Sequence, residues 1–435
     1  MKKVLVITPA FPPYQGSQTQ RMLSLTSSFV HAGLDVYVLT TEILPGHPDF
    51  NPKLLNDVNK KIHIVRTPYG KLHKRIYTKN YKRIAFHKTD NRHTIKTKIY
   101  LYLNSIKRNA SVPDTMIDWY YAVKQYIKKR RVIESIQPDL IYSCSMPNTS
   151  HVIGNYISKK YNIPIMMDYG DPWVFIANNK KNALLRKIEY RMEKSYLNRC
   201  LLVSFTTPGA ELLYQKKYKL PKEKTITAMT GFEKKLDDLY RKHISNRPKN
   251  GKIVLTYGGA LQTGVRDPSC FFAAVDEFAD DGFNVLIRTD SVSRIKDLVK
   301  QNTKNGIIKV EGYKPFNEYY EEMLDADVLV FFGNSTSDQL PGKIFNYFPT
   351  RKLILYISNI QKNGKDQALG IVKEYGYYVY ADNNLVSIKK ALKKVKEIIE
   401  DGRIAACNED AISRYSTTIQ MNNLTERVKR IINND

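Results

Sequence analysis

Apolar residues fall along this chain in short blocks, separated by longer stretches in which they recur at every third or fourth position. Val4-Leu5-Val6-Ile7 is the first block and reads as a buried strand. Met22, Leu25, Phe29 and Val30 follow at helical spacing, Gly33 stands where a helix would end, and Val36 to Thr41 is the next strand. From 71 to 108 the rhythm stops, and it resumes after Trp119. Strands are predicted over 140–145, 163–167 and 201–207, with helices over 148–160 and 182–197 and from Pro208, then a strand ending at Gly231-Phe232. Past a polar stretch at 241–251, further blocks at 253–260, 285–289, 307–312, 328–332, 353–358 and 377–380 repeat the pattern, and 419–432 closes as a helix. Strand and helix alternating at this spacing point to parallel sheets made of βαβ units. The fold class is therefore α/β, with two Rossmann-like, doubly wound domains at 1–245 and 252–412, a basic insertion over about 71–115 and a terminal segment at 413–435.

A length of 435 residues suits two domains of this kind, and a hydrophobic fraction of 42% supplies two cores. No apolar run reaches the roughly 18 residues needed to cross a bilayer. Pro9, Pro12 and Pro13 cut short the apolar start, so it reads as a first strand in a cytoplasmic protein and not as a signal peptide. Cys144, Cys200, Cys270 and Cys407 lack metal-ligand or disulfide-framework spacing, and no histidine follows His243. Asp325-Ala326-Asp327 has the wording of a D-x-D metal motif, but it precedes a strand and reads as a helix-to-strand junction.

The net charge of +27 changes the picture most, because it calls for an acidic partner or surface. Segment 71–108 concentrates it: Lys74, Arg75, Lys79, Lys82 and Arg83 alternate with Tyr77, Tyr81, Ile84 and Phe86 against the single acid Asp90. Rings interleaved with cations suit an anionic membrane surface, and would also stack on single-stranded nucleic acid. No nucleic-acid-binding motif accompanies them, which favours the membrane, and a solvated basic loop is the bland alternative.

Candidate chemistry centres on Asp338-Gln339-Leu340-Pro341-Gly342-Lys343-Ile344-Phe345-Asn346-Tyr347-Phe348, between two predicted strands. Such a loop sits at the carboxyl edge of a parallel sheet, where these folds bind ligands, and Pro341 suits the first turn of the helix that follows. Free amides at that helix start, with Lys343 beside them, suit a phosphate. Gly258, Gly259 and Arg266, delivered by the strand at 253–260, suit the same guest. In the first half, Gly16 permits close approach at a strand-to-helix loop. Asp168 and Asp171 follow the strand at 163–167 and could bond sugar or acceptor hydroxyls, and Asp171 could instead cap a helix. His151 lies in the first turns of a helix, where a structural hydrogen bond and a substrate contact both fit.

These segments resemble the family 4 glycosyltransferases, which share the two-domain GT-B fold. The likeness rests on the Pro341-Gly342-Lys343-Ile344-Phe345-Asn346-Tyr347 run, the Phe11-Pro12-Pro13 loop ending at Gly16, the Ser145-x-Pro147-x-x-Ser150-His151 run and Asp168-Tyr169-Gly170-Asp171-Pro172-Trp173. Two departures stand out. Asp338 and Asn346 occupy the places of the family's two glutamates, and Gly170 stands where arginine is usual. The resemblance implies two domains facing a cleft, with a terminal helix returning to the first. It implies a metal-independent, retaining hexosyltransferase without cofactor, moving sugar from a nucleotide-sugar donor to a glycan or lipid-linked acceptor in cell-surface polysaccharide biosynthesis. Localisation would be cytoplasmic, peripheral at the inner membrane face, with no nucleic acid partner. Catalytic roles would fall to Asp338, Lys343, Arg266 and Asp168. Gly16, Gly258, Gly259, Arg266, Gly312, Pro341, Gly342, Lys343 and Asn346 would hold the donor, and His151, Asp168 and Asp171 would face the acceptor. A non-catalytic GT-B scaffold and a sugar-nucleotide 2-epimerase are the competing readings.

Overall fold

Two all-parallel sheets carry the chain, and a computed structural model describes residues 1–43, 47, 49–70, 109–176, 179–243, 251–261, 266–279, 282–334, 340–360, 366–402 and 407–433. The basic segment 71–108 and Asp338 lie outside the described residues. The first sheet contains β1 (Lys3–Ile7), β2 (Asp35–Thr41), β3 (His63–Thr67), β4 (Leu140–Cys144), β5 (Ile165–Tyr169), β6 (Leu202–Phe205) and β7 (Thr225–Thr227), in the order β3-β2-β1-β4-β5-β6-β7. The second contains β8 (Ile253–Gly258), β9 (Phe283–Arg288), β10 (Ile308–Glu311), β11 (Val328–Phe332), β12 (Leu353–Ser358) and β13 (Tyr378–Asp382), in the order β10-β9-β8-β11-β12-β13. Central strands such as β4, β5 and β11 are buried along their whole length, which is why they read as unbroken apolar blocks. β3 is not predicted, since His63 and Arg66 interrupt its apolar run. As an edge strand beside β2 alone, β3 needs less apolar surface.

The helices of the first unit are α1 (Ser17–His31), α2 (Ile117–Arg130), α3 (Val132–Ile136), α4 (Thr149–Tyr161), α5 (Ala183–Arg199) and α6 (Pro208–Tyr218). Those of the second are α7 (Lys234–Lys242), α8 (Ser269–Asp276), α9 (Val292–Asn302), α10 (Phe316–Asp325), α11 (Lys343–Tyr347), α12 (Gln367–Tyr375), α13 (Leu385–Glu400) and α14 (Glu409–Arg414); α15 (Thr417–Asn433) ends the chain. Asn182 and Thr207 start α5 and α6 by accepting backbone N–H bonds, as N-caps do.

One face of the first sheet is covered by α2, α4, α5 and α6, through a core that includes Trp119, Val123, Ile153, Leu197 and Tyr214. The other face is covered by α1 and α15, where Met22, Leu25 and Phe29 share a core with Met421, Leu424 and Val428. Ser28 fixes the contact by bonding Asn422 at 3.0 Å and Thr425 at 2.8 Å. The terminal helix thus returns to the first domain, and two Rossmann-like units with this return make the GT-B fold.

The compact units are Met1–Met229 with Met421–Asp435, and Thr230–Gln420. The division falls earlier than the polar stretch that the sequence reading chose, because α7 is held by the second unit. The Tyr320 hydroxyl donates to the Leu236 carbonyl at 3.0 Å, and Arg351 bonds Asp237 at 2.7 Å. Both sheets reverse direction of winding beside their first strand, between β1 and β4 and between β8 and β11. Those two points mark the carboxyl-edge crevices in which such sheets bind ligands.

Candidate active site

In the second unit, the crevice between β8 and β11 gathers the predicted cations. Lys343, the first residue of α11, donates to the Tyr257 hydroxyl at 2.7 Å and to the Gly258 carbonyl at 3.0 Å. Its ammonium lies over the Tyr257 ring, 4.1 Å from the centroid. Arg266 donates to the Asn334 side chain at 2.8 Å, just past β11, and also contacts the Tyr257 phenol. Arg266 and Lys343 therefore converge on one tyrosine across the switch point. Burial, with the Arg266 charge as a second cause, pushes the Lys343 ammonium well below its usual pKa. A guanidinium and an amine thus meet on one tyrosine, and a nearby anion would favour the amine's charged form.

Backbone geometry at the end of β8 fits that site. Gly259 has a φ of +147°, open to glycine and hardly to other residues, and a Cβ there would collide with the Lys343 ammonium. A Cβ on Gly258 would run into the Tyr319 ring. Gly312 follows β10, and its carbonyl accepts from Arg288 at 3.3 Å; a side chain there, as at Gly342, would meet open space. Pro341 is buried and stands two residues before α11, not within its first turn. Its carbonyl accepts the Ile344 N–H at 3.2 Å, so the helical ladder begins with Lys343. Asn346 is half-buried on α11 and has no side-chain hydrogen-bond partner among the described residues.

In the first unit the arrangement differs from the sequence expectation. Asp168 is completely buried, and both carboxylate oxygens are engaged by the Arg21 guanidinium at 3.0 and 2.7 Å, with Ser204 donating at 2.6 Å. Arg21 donates its remaining reach to the Ala228 carbonyl at 2.7 Å. A carboxylate held in this way ties α1 to β5 and β6 and leaves no oxygen for an acceptor. His151 is also fully buried, with Nδ1 2.8 Å from the Ser143 hydroxyl and its ring against Tyr169. Burial lowers its pKa to about 3 although Asp168 opposes this, so the ring is neutral. Asp171 is half-buried at the mouth of the loop that follows β5. Gly16 lies in extended backbone, and a Cβ there would meet the Tyr14 ring at 2.7 Å, which accounts for glycine at a tight turn.

Several residues that shape these sites escape pattern reading. Tyr257 is one more apolar position in a strand, and Gln18, whose amide donates to the Ser145 carbonyl at 2.7 Å, looks like a solvent residue. A Cβ on Gly170 would collide with that Gln18 amide. Arg21, Glu189 and Glu193 do leave a signal, as charges set into apolar helical stripes. Glu193 accepts from Tyr214 at 2.6 Å and from Tyr218, and Glu189 pairs with Lys181 and Trp173, which pins the loop after β5 to α5 and α6.

The Asp325-Ala326-Asp327 segment is the helix-to-strand junction expected of it, with Asp327 accepting the Val254 N–H at 2.7 Å. Among the described residues no cluster of three or more His, Cys, Asp or Glu side chains gathers, and no helix is long and apolar enough to cross a membrane. All four cysteines are free thiols.

No family model matches the chain, and neither does any curated protein sequence. Solved structures do share its fold over its full length. Sucrose-phosphate synthase from Thermosynechococcus elongatus is similar at 14% identity and a TM-score of 0.64, covering 100% of both chains. A glycosyltransferase from Rickettsia africae matches at 13% and 0.59, covering 100% of this chain and 99% of that one. Anabaena HepE, solved with UDP-glucose, matches at 11% and 0.58, covering 99% and 100%.

Proposed function

We propose that this protein is a glycosyltransferase that moves a sugar from a nucleoside-diphosphate-sugar donor to a glycan or lipid-linked acceptor in cell-surface polysaccharide assembly. The observation that carries the reading is the meeting of Arg266 and Lys343 on Tyr257, beside Gly258 and Gly259, at the switch point of the second sheet. A diphosphate supplies the anion that this pair lacks. Proteins with the same fold, including one solved with UDP-glucose, support the choice of donor class.

In the transfer, the bond from the anomeric carbon to the diphosphate breaks, the acceptor hydroxyl oxygen bonds to that carbon and passes its proton to the departing phosphate oxygen, and the nucleoside diphosphate leaves with the bonding electron pair. Arg266 and Lys343 stabilise the negative charge as it develops, in a site where little water competes. Asp338 supplies a carboxylate near the sugar, and Asn346 bonds the ribose hydroxyls through its amide. Configuration is retained by attack from the face the diphosphate leaves, with no protein nucleophile and no metal. Asp171 is the acceptor-side carboxylate of this reading, since Asp168 is committed to Arg21. The basic segment 71–108 adds affinity for an anionic membrane.

A panel of nucleotide sugars, assayed for transfer and donor hydrolysis, tests this. One donor is expected to be consumed, and Lys343→Ala and Arg266→Ala each to abolish its consumption. Full activity in both variants would overturn the site. Donor binding without turnover would instead favour the scaffold reading, to which Asp338 and Asn346 in place of glutamates lend weight. An epimerase would interconvert the donor sugar without acceptor.

A further inference from the structure

The helical layer over one face of the first sheet has a predominantly basic outer surface, in which the short α3 exposes one acid, Glu134. On α2, α4, α5 and α6, every exposed charged residue is lysine or arginine. The acids of these helices are withdrawn: Glu189 and Glu193 are fully buried, and Asp118 and Glu211 are half-buried. None of the exposed cations forms an ion pair among the described residues. On the opposite face, α15 exposes Glu426 and Arg430, one charge of each sign. That helix also carries half-buried Arg427 and Lys429, but Lys429 pairs with Glu426, so the excess of unpaired cations is larger on the four-helix side.

The same layer exposes large apolar side chains. Leu184 and Ile188, one turn apart on α5, are 68% and 40% exposed, and Leu212 on α6 and Tyr121 on α2 are each 60% exposed. Arg186, Lys187, Arg191 and Lys194 surround the first pair on the same helix. Aliphatic side chains among unpaired cations have no use for a nucleic acid, which is bound by charge and stacked rings. They match an anionic bilayer, where the aliphatic groups enter the headgroup boundary and the cations remain among the phosphates.

We propose that the outer face of α2, α4, α5 and α6, led by the first turns of α5, docks on an anionic lipid surface. Because α5 follows β5, its first turns lie toward the carboxyl edge of the sheet, the edge that holds Asp171. Docking there presents that edge to a lipid-linked acceptor in the bilayer. Only this purpose rests on the transferase reading; the docking itself is measured without donor, so the two fail separately.

The test is flotation of the full chain with phosphatidylcholine vesicles, with and without phosphatidylglycerol. Binding is expected only to the anionic vesicles, and it should fall as salt rises. Lys187→Gln with Arg191→Gln should lower the partition coefficient by roughly 25-fold, at about fivefold for each cation removed. Leu184→Ser with Ile188→Ser keeps every charge, and should remove the part of the binding that survives high salt. Unchanged melting temperatures would show that both variants are folded, as exposed positions permit. Vesicle binding by the two variants equal to that of the parent would overturn the proposal and place any attachment elsewhere, as on segment 71–108. Failure of the parent to float would overturn it too, as would variants that lose binding to an added single-stranded oligonucleotide while keeping vesicle binding intact.

Discussion

The most consequential single residue is Asp168, because its surroundings decide between chemistry and architecture. Its carboxylate and the Arg21 guanidinium form a buried, two-pronged pair, with Ser204 completing the set. Removing one partner of such a pair strands the other charge in a medium that solvates it poorly. Asp168→Asn is expected to cost about 3 to 5 kcal/mol of stability in urea unfolding. A carboxylate kept for the acceptor would instead lose transfer with stability unchanged. Asn346 is the opposite case, half-buried and without a partner of its own on α11. Asn346→Ala should weaken donor binding by about 1 kcal/mol, near a fivefold rise in the donor dissociation constant, with turnover almost unaltered. Equilibrium binding beside steady-state kinetics separates the two effects. Lys343 bonds a phenol and a carbonyl, both neutral, so in the proposed reaction no protein carboxylate would compete with a diphosphate for it.

Among the elements, α15 and the α5–α6 pair hold the first unit together in different ways. Met421, Leu424 and Val428 of α15 complete the core beneath α1. Leu424→Ala, at a fully buried position, should cost about 2 to 5 kcal/mol, read from the urea midpoint. The α5–α6 contact is polar at its centre, where Glu193 is enclosed by Tyr214, Tyr218 and the Val174 amide. Burial raises the Glu193 pKa to about 7, against the usual 4.5. Between those two values the folded protein holds a proton that the unfolded chain has released, so stability falls as pH rises from about 4.5 to about 7. Glu193→Gln removes this slope, and its unfolding free energy minus that of the parent should grow across the window by on the order of 3 kcal/mol. Urea titrations at several pH values give that difference directly. His151 works in the other direction: a ring kept neutral to about pH 3 makes the folded state lose ground in acid, as the unfolded imidazole takes up a proton. Taking the difference between variant and parent cancels this second slope.

At the scale of the molecule, two units of the same architecture carry different loads. The second gathers Arg266 and Lys343 at its switch point, and the first buries charged residues on the sheet side and displays cations on its helical layer. A nucleoside diphosphate that binds the folded second unit alone should stabilise it by about 2.7 kcal/mol when present at about 100 times its dissociation constant. A thermal-shift series is expected to show a rising midpoint that disappears in Lys343→Ala. Much of this organisation was legible in the chain itself. Blocks such as Val328 to Phe332 and the helical spacing of Met22, Leu25 and Phe29 specify strand, helix and buried face, because those depend on neighbours a few positions away. That Gly258, Gly259, Arg266 and Lys343 stand at one sheet edge was legible too, since strand-to-helix loops fall there. The partners of each charge were not. Arg21 meets Asp168, and Lys343 meets Tyr257, only because the order of the strands brings distant loops to one switch point. Spacing along the chain determines which face a residue occupies; whether a carboxylate there meets substrate or a buried guanidinium is decided by the side chains that sheet order packs around it.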